Sequence, residues 1–202
     1  MVPARLALRR PRPVRPGRPL RHCGLLIFSG PGQDSGADEP LITLKMKENR
    51  LEIKYSVYGS LDELEPEDRK VAEAAIAAQK SSYAPHSHFN VGAAVLLADG
   101  SIVPGSNQEN DAYPSGLCAE RTAMFAAAAM HPGVPFVALA VVGGHSQTIC
   151  DDPATPCGAC RQVMAEYQKL SGRPLTILMV GRREIWKFVG VESILPFIFD
   201  SL

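Results

Sequence analysis

No apolar run in the 202 residues is long enough to cross a bilayer, so no membrane partner is expected. Neither charge is in excess. Lys and Arg number 21, Asp and Glu number 21, and the formal net charge is zero, which argues against a general nucleic-acid surface. Cysteine is scarce and odd in number, with five in all. That count does not make a disulfide framework, and three of the five are grouped at metal-like spacing. A reducing compartment, and with it a cytoplasmic location, is the expectation. No internal repeat is present. Acidic residues are missing altogether before Asp34.

That last absence marks off residues 1–45. Arg5, Arg9, Arg10, Arg12, Arg15, Arg18 and Arg21 alternate there with Pro11, Pro13, Pro16 and Pro19. The prolines forbid a stable amphipathic helix, and serine is too sparse for a transit peptide. A basic arm touching nucleic acid is one reading. The favoured one is a disordered extension, or upstream codons translated with Met46 as the true start. Cys23 in this arm is read as a bystander. Residues 46–202 are then long enough for one domain.

What the chain does hold is a pair of short stretches, Cys118-Ala-Glu-Arg and Pro156-Cys-Gly-Ala-Cys. Each reads as the opening of a helix. Cys157 and Cys160 are three apart, so a first helical turn puts both sulfurs on one side. Cys118 precedes a run rich in strong helix formers. A thiol at a helix N-terminus is biased toward thiolate. Three thiolates and one open position describe a catalytic rather than a structural zinc site. Cys150 would close that position as a fourth thiolate, so it is read as a non-ligand. Glu120, two residues after Cys118, is close enough to handle a proton at the open position without being a ligand. Arg121 is expected to offset the negative charge of three thiolates.

Around these stretches the pattern predicts a helix over 67–80 led by Pro66, with Val71, Ala74, Ala75 and Ala78 inward. A strand over 91–97, an Asp99-Gly100 turn and a strand over 101–106 follow. Further strands are read at 135–142, 174–180 and 185–189, and the second cysteine helix at 157–170. Leu51 to Tyr58 alternates as a short added strand. The order predicts an α/β fold in one domain: a mixed five-stranded sheet with helices on its faces.

Four motifs carry a resemblance: Ser82-Tyr-Ala-Pro-x-Ser-x-Phe-x-Val-Gly-Ala-Ala, Asn107-x-Glu-Asn, Cys118-Ala-Glu-Arg-Thr-Ala and Pro156-Cys-Gly-Ala-Cys-Arg-Gln-Val-Met. In this order and spacing the chain resembles cytidine deaminase of the small homotetrameric, three-cysteine zinc type, from about Val71 to Phe199. The resemblance implies zinc on Cys118, Cys157 and Cys160. It implies hydrolytic deamination of cytidine and deoxycytidine, with a zinc-held hydroxide attacking ring carbon 4 and Glu120 shuttling protons. It implies Asn107 and Glu109 on the ribose 3′ hydroxyl, Phe89 stacked on the pyrimidine, and Ala119 among the substrate contacts. Tyr113 resembles a residue lining a neighbouring subunit's pocket, and Phe199 resembles the tail aromatic that reaches a neighbour's site. Without the resemblance, Phe89 reads as an ordinary core residue, Asn107 and Glu109 as a loop capping its own backbone, and Phe199 as a frayed end. His86 stands where such proteins often have tyrosine, and it is read as surface, as are His88, His131 and His145.

Three other functions compete. A polynucleotide deaminase commonly has histidine as its first ligand, and residues 46–202 show no basic groove interleaved with aromatics, so no nucleic-acid polymer is expected as partner. A zinc-stabilised binding module leaves Glu120 and the open position unexplained. A deaminase of nucleoside antibiotics shares the zinc motif, but Asn107-x-Glu109 favours an ordinary ribose.

Overall fold

A computed structural model describes residues 48–200. The expected boundary after residue 45, the arm before it and Cys23 lie outside the described residues. The elements run in chain order as β1 (Ser56–Tyr58), α1 (Pro66–Gln79), β2 (Phe89–Leu97), β3 (Ile102–Ser106), α2 (Ala119–Met130), β4 (Phe136–His145), α3 (Gly158–Ser171), β5 (Thr176–Val180) and β6 (Ile185–Val189). They form one mixed sheet flanked by helices, with strand order β1-β6-β5-β4-β2-β3. Only β4 and β5 run parallel; the other neighbours are antiparallel. The five expected strands are all present. The added strand makes the sheet six-stranded, but only its last three residues pair with β6.

The central strand β4 shows how the sheet divides the core. Ala138, Ala140 and Val142 face α1, together with Val71, Ala72 and Ala75 of that helix. Leu139 and Val141 face the opposite side, with Ala123 and Met124 of α2 and Cys160 and Met164 of α3. The strand's period of two supplies both layers at once. In α1 the inward face includes Ala72, while Ala74 is only half-buried, a small rotation from the expected stripe. Lys187 of β6 donates to Asp68 of α1 at 2.5 Å and ties the helix to the sheet's far side.

Pro66 opens α1, where a missing N–H costs nothing. The Asp99-Gly100 turn joins β2 to β3, with Asp99 Oδ1 accepting from the Ser101 amide at 2.9 Å. No helix among the described residues is long and apolar enough to cross a membrane.

Candidate metal centre and active-site cleft

The two cysteine stretches meet where α2 and α3 begin. Cys118 is the N-cap of α2, Cys157 is the N-cap of α3, and Cys160 lies in the first turn of α3. The Cys118 and Cys157 sulfurs are 3.8 Å apart, those of Cys157 and Cys160 are 3.5 Å apart, and all three lie within 4.8 Å of one another. A tetrahedral ion with Zn–S bonds of about 2.3 Å holds its sulfurs about 3.8 Å apart, so the thiols already stand at the spacing of a shared zinc. Neither helix N-terminus receives a side-chain cap, and both therefore lend their positive ends to the sulfurs. Cys150 is not part of the group.

The charges around the cluster favour a cation. Cys118 is lowered to about 5 by a hydrogen bond from Cys160 and by the guanidinium of Arg121. Cys160 is pushed the other way, as the partner holding that proton and by burial. A bound metal replaces such shared protons. Arg121 Nη2 lies 3.8 Å from Cys118 Sγ, the position expected of a charge-compensating group. Its Nε is buried without a hydrogen-bond partner, so its charge is directed at the sulfurs and little relieved elsewhere.

Glu120 is 3% exposed. It stands outside the metal-binding group, with the Cys160 thiol beside it. Desolvation raises its carboxyl to about 7, helped by the negative charge on Cys118. A carboxyl group poised there can both take up and release a proton near neutrality.

A cleft of about 460 Å³ opens over these groups, and Phe89, Asn107, Glu109, Tyr113, Cys118, Glu120, Arg121 and Cys157 all line it. Phe89 is half-buried at this wall and absent from the core clusters, so the ordinary core reading does not hold. Its ring lies against Gly143 of β4. A Cβ on Gly143 would come within 2.8 Å of the ring. His145 meets the ring edge-on, with centroids 5.1 Å apart.

Asn107 and Glu109 follow β3 and reach back to the loop before β2. Asn107 Nδ2 donates to the Phe89 carbonyl at 2.9 Å, and its Oδ1 accepts from the Val91 amide at 2.8 Å. Glu109 Oε2 accepts from the amides of His86 and Ser87 at 3.0 and 3.2 Å, while Oε1 accepts from the Ser87 hydroxyl at 2.5 Å. Burial pushes this carboxyl up, but the three donors outweigh it and hold it below its usual range. Both side chains thus cap backbone and line the cleft at the same time.

The other expected residues are placed differently. Tyr113 is 56% exposed at the rim of the cleft in its own subunit, where His86 meets its ring edge-on. Ala119 is fully buried in the core, and it is not among the residues that line the cleft. Phe199 does not line this cleft; it lies beside α3, where Gln162 holds its backbone. His88 and His145 are exposed, as expected of surface groups, and His131 caps the end of α2. Ser87, Ala154 and Thr155 line the cleft without having been singled out in the sequence. A serine two residues before the aromatic was the available signal, since such hydroxyls bond the amide two positions on.

The family model for the cytidine and deoxycytidylate deaminase zinc-binding region matches residues 65–171. The chain belongs to this family. Cytidine deaminase of Halalkalibacterium halodurans is 49% identical over 92 residues, which cover 46% of this chain and 65% of that protein. The Sporosarcina psychrophila cytidine deaminase is 50% identical over 91 residues, covering 45% of this chain and 62% of that protein. The matched segment thus spans less than two thirds of these relatives' length. Solved structures extend the family likeness. Cytidine deaminase of Burkholderia pseudomallei is similar at 40% identity with a TM-score of 0.55, covering 64% of this chain and 97% of that one. The Mycobacterium tuberculosis enzyme is similar at 34% identity and 0.51, covering 65% and 96%. The family's zinc-binding region includes all three clustered cysteines and Glu120.

Proposed function

We propose that residues 46–202 form a zinc-dependent hydrolase that converts cytidine and deoxycytidine, with water, to uridine and deoxyuridine and ammonia. The observation that carries this reading is the buried carboxyl of Glu120, raised to about 7 beside three clustered thiols at the floor of a cleft. Cys118, Cys157 and Cys160 would hold the metal. When bound, zinc supplies an acidified water for attack at ring carbon 4.

The chain's own groups do the rest. Glu120 accepts the water's first proton and delivers it to ring nitrogen 3; it then takes the proton of the new hydroxyl on ring carbon 4 and passes it to the 4-amino group, which leaves as ammonia while the carbonyl forms. A carboxyl near neutrality serves both directions of transfer. Arg121 draws charge from Cys118 and so eases ionisation at the metal. Phe89 stacks on the pyrimidine ring, and Asn107 and Glu109 take the sugar's 3′ hydroxyl. Tyr113, and Phe199 of a neighbouring copy, complete the pocket in a homotetramer. The walls exclude bulk water from the proton traffic.

A spectrophotometric assay with cytidine, deoxycytidine, cytosine and the two monophosphates tests this reading. Turnover of both nucleosides, with little on the free base or the monophosphates, is the expected result. Turnover confined to a monophosphate would assign a different substrate to the same centre.

A further inference from the structure

Ser87 is half-buried in the cleft wall and makes two side-chain hydrogen bonds there. Its hydroxyl donates to Glu109 Oε1 at 2.5 Å and accepts from the Phe89 amide at 3.1 Å. The Phe89 carbonyl in turn accepts from Asn107, two residues before Glu109. The bonds therefore close a ring through Glu109, Ser87, Phe89 and Asn107. Every side chain in this ring lines the same cleft.

The ring has a mechanical consequence for the carboxylate. The amides of His86 and Ser87 both fall on Oε2. Two bonds to one oxygen make a pivot, about which the carboxylate plane can still turn. The Ser87 hydroxyl holds the other oxygen and stops that rotation. Oε2 already accepts two bonds, but Oε1 accepts one and keeps a lone pair for a donor from a ligand. The same hydroxyl also helps keep Glu109 ionised, and so a pure acceptor.

We propose that Ser87 is a positioning residue for sugar recognition: its hydroxyl orients the Glu109 carboxylate toward the 3′ hydroxyl of a nucleoside and ties it to the backbone of Phe89. This rests on the nucleoside deaminase reading above. Ser87 touches no reacting atom. Its effect belongs to the sugar, and a merely structural capping role would be blind to the sugar.

The test uses the full chain loaded with zinc, in wild-type, Ser87→Ala, Ser87→Thr and Ser87→Cys forms. Each is assayed on deoxycytidine and on 2′,3′-dideoxycytidine, which lacks the 3′ hydroxyl. Loss of a hydrogen bond to a charged group is expected to lower kcat/KM for deoxycytidine about ten- to hundredfold in Ser87→Ala. Nearly all of that loss should fall in KM. The loss on dideoxycytidine should be severalfold smaller, and Ser87→Thr should recover most of the deoxycytidine value. Ser87→Cys fills the space with a weaker donor and gives the same pattern if Ser87→Ala fails to fold. Equal losses on the two sugars, or no loss in either variant, would overturn the proposal. Wild-type protein inactive on both nucleosides would reject the deaminase reading itself, which is a distinguishable result.

Discussion

Gly105 of β3 lies directly against Ala123 of α2: a Cβ added to Gly105 would stand 2.4 Å from the Ala123 amide nitrogen and 2.8 Å from the Ala119 carbonyl oxygen. Backbone meets backbone at the first turns of the helix that carries Cys118 and Glu120. The absent side chain therefore sets how closely the metal helix approaches the sheet. Gly105→Ala should push α2 outward, with an overpacking cost of about 2–3 kcal/mol. For a chain of this size that lowers Tm by about 5–10 °C. Zinc content should fall with it, because Cys118 moves away from Cys157. Thermal melts and elemental analysis check both; an unchanged Tm with full zinc would mean that α2 is not seated by this contact.

One tightly held zinc per chain is expected from the thiol spacing. Cys160, a proposed ligand, is also fully buried in the core, so the metal and the core would share a residue. Removing the metal with a chelator should destabilise the fold by at least about 2.7 kcal/mol, the value for a ligand present at a hundredfold above its Kd. Cys160→Ala should not bind zinc stoichiometrically. Active protein without metal would contradict the whole centre.

Glu120→Gln keeps the shape of the side chain and removes its proton chemistry. Zinc content should stay near one per chain. General acid–base catalysis is worth about 10²–10⁴-fold, and in the proposed mechanism one carboxyl serves several transfers, so kcat should drop by at least that range. Steady-state kinetics on cytidine decides it. A variant within tenfold of wild type would place the proton transfers on another group.

Much of this centre is legible in the sequence because its signals are local. Cysteines three apart at a helix start share a side, Pro66 marks a helix entrance, and Asp99-Gly100 marks a turn. What escapes is set by contacts between distant segments. The apolar run of β4 ends at Val142, yet the strand continues through Gly143 and Gly144 to His145 because Phe89 to Val91 pair with it. The same pairing starts β2 two residues early and leaves Phe89 at the cleft wall, with Gly143 beneath its ring. No periodicity encodes which glycine lies under which aromatic. Ser87 and Thr155 escape for a related reason: small polar loop residues carry no pattern until the loop is placed.

Deleting residues 1–45 should leave kcat and KM for cytidine unchanged within about twofold. Among the described residues, every one that lines the cleft lies at or beyond Ser87, and the family model begins at residue 65. The full and shortened proteins should also carry equal zinc. A large loss of activity or solubility on deletion would show that the arm belongs to the folded unit.

Phe197 and Phe199 are 88% and 84% exposed, whereas Ile194 just before the C-terminal tail is buried. The tail is nevertheless held in place. Arg161 of α3 donates to the Ile194 carbonyl at 2.8 Å and to the Pro156 carbonyl at 2.8 Å, one residue before Cys157. Gln162, the next residue, donates to the Phe199 carbonyl at 2.7 Å and accepts from its amide at 3.2 Å. Adjacent residues of the metal helix thus fix both ends of a segment whose aromatic rings face water. Two large apolar rings fixed in solvent are costly unless another surface covers them. The proposed cover is a neighbouring copy in a closed homotetramer, with Phe199 at that copy's cleft. Truncation after Ile194 should keep zinc full, because Arg161 retains its bond to Pro156. It should raise KM for cytidine and lower the mass found by light scattering. A truncated protein with unchanged KM and unchanged mass would leave the tail as bare surface, and an active wild-type monomer at assay concentration would reject the shared pocket directly.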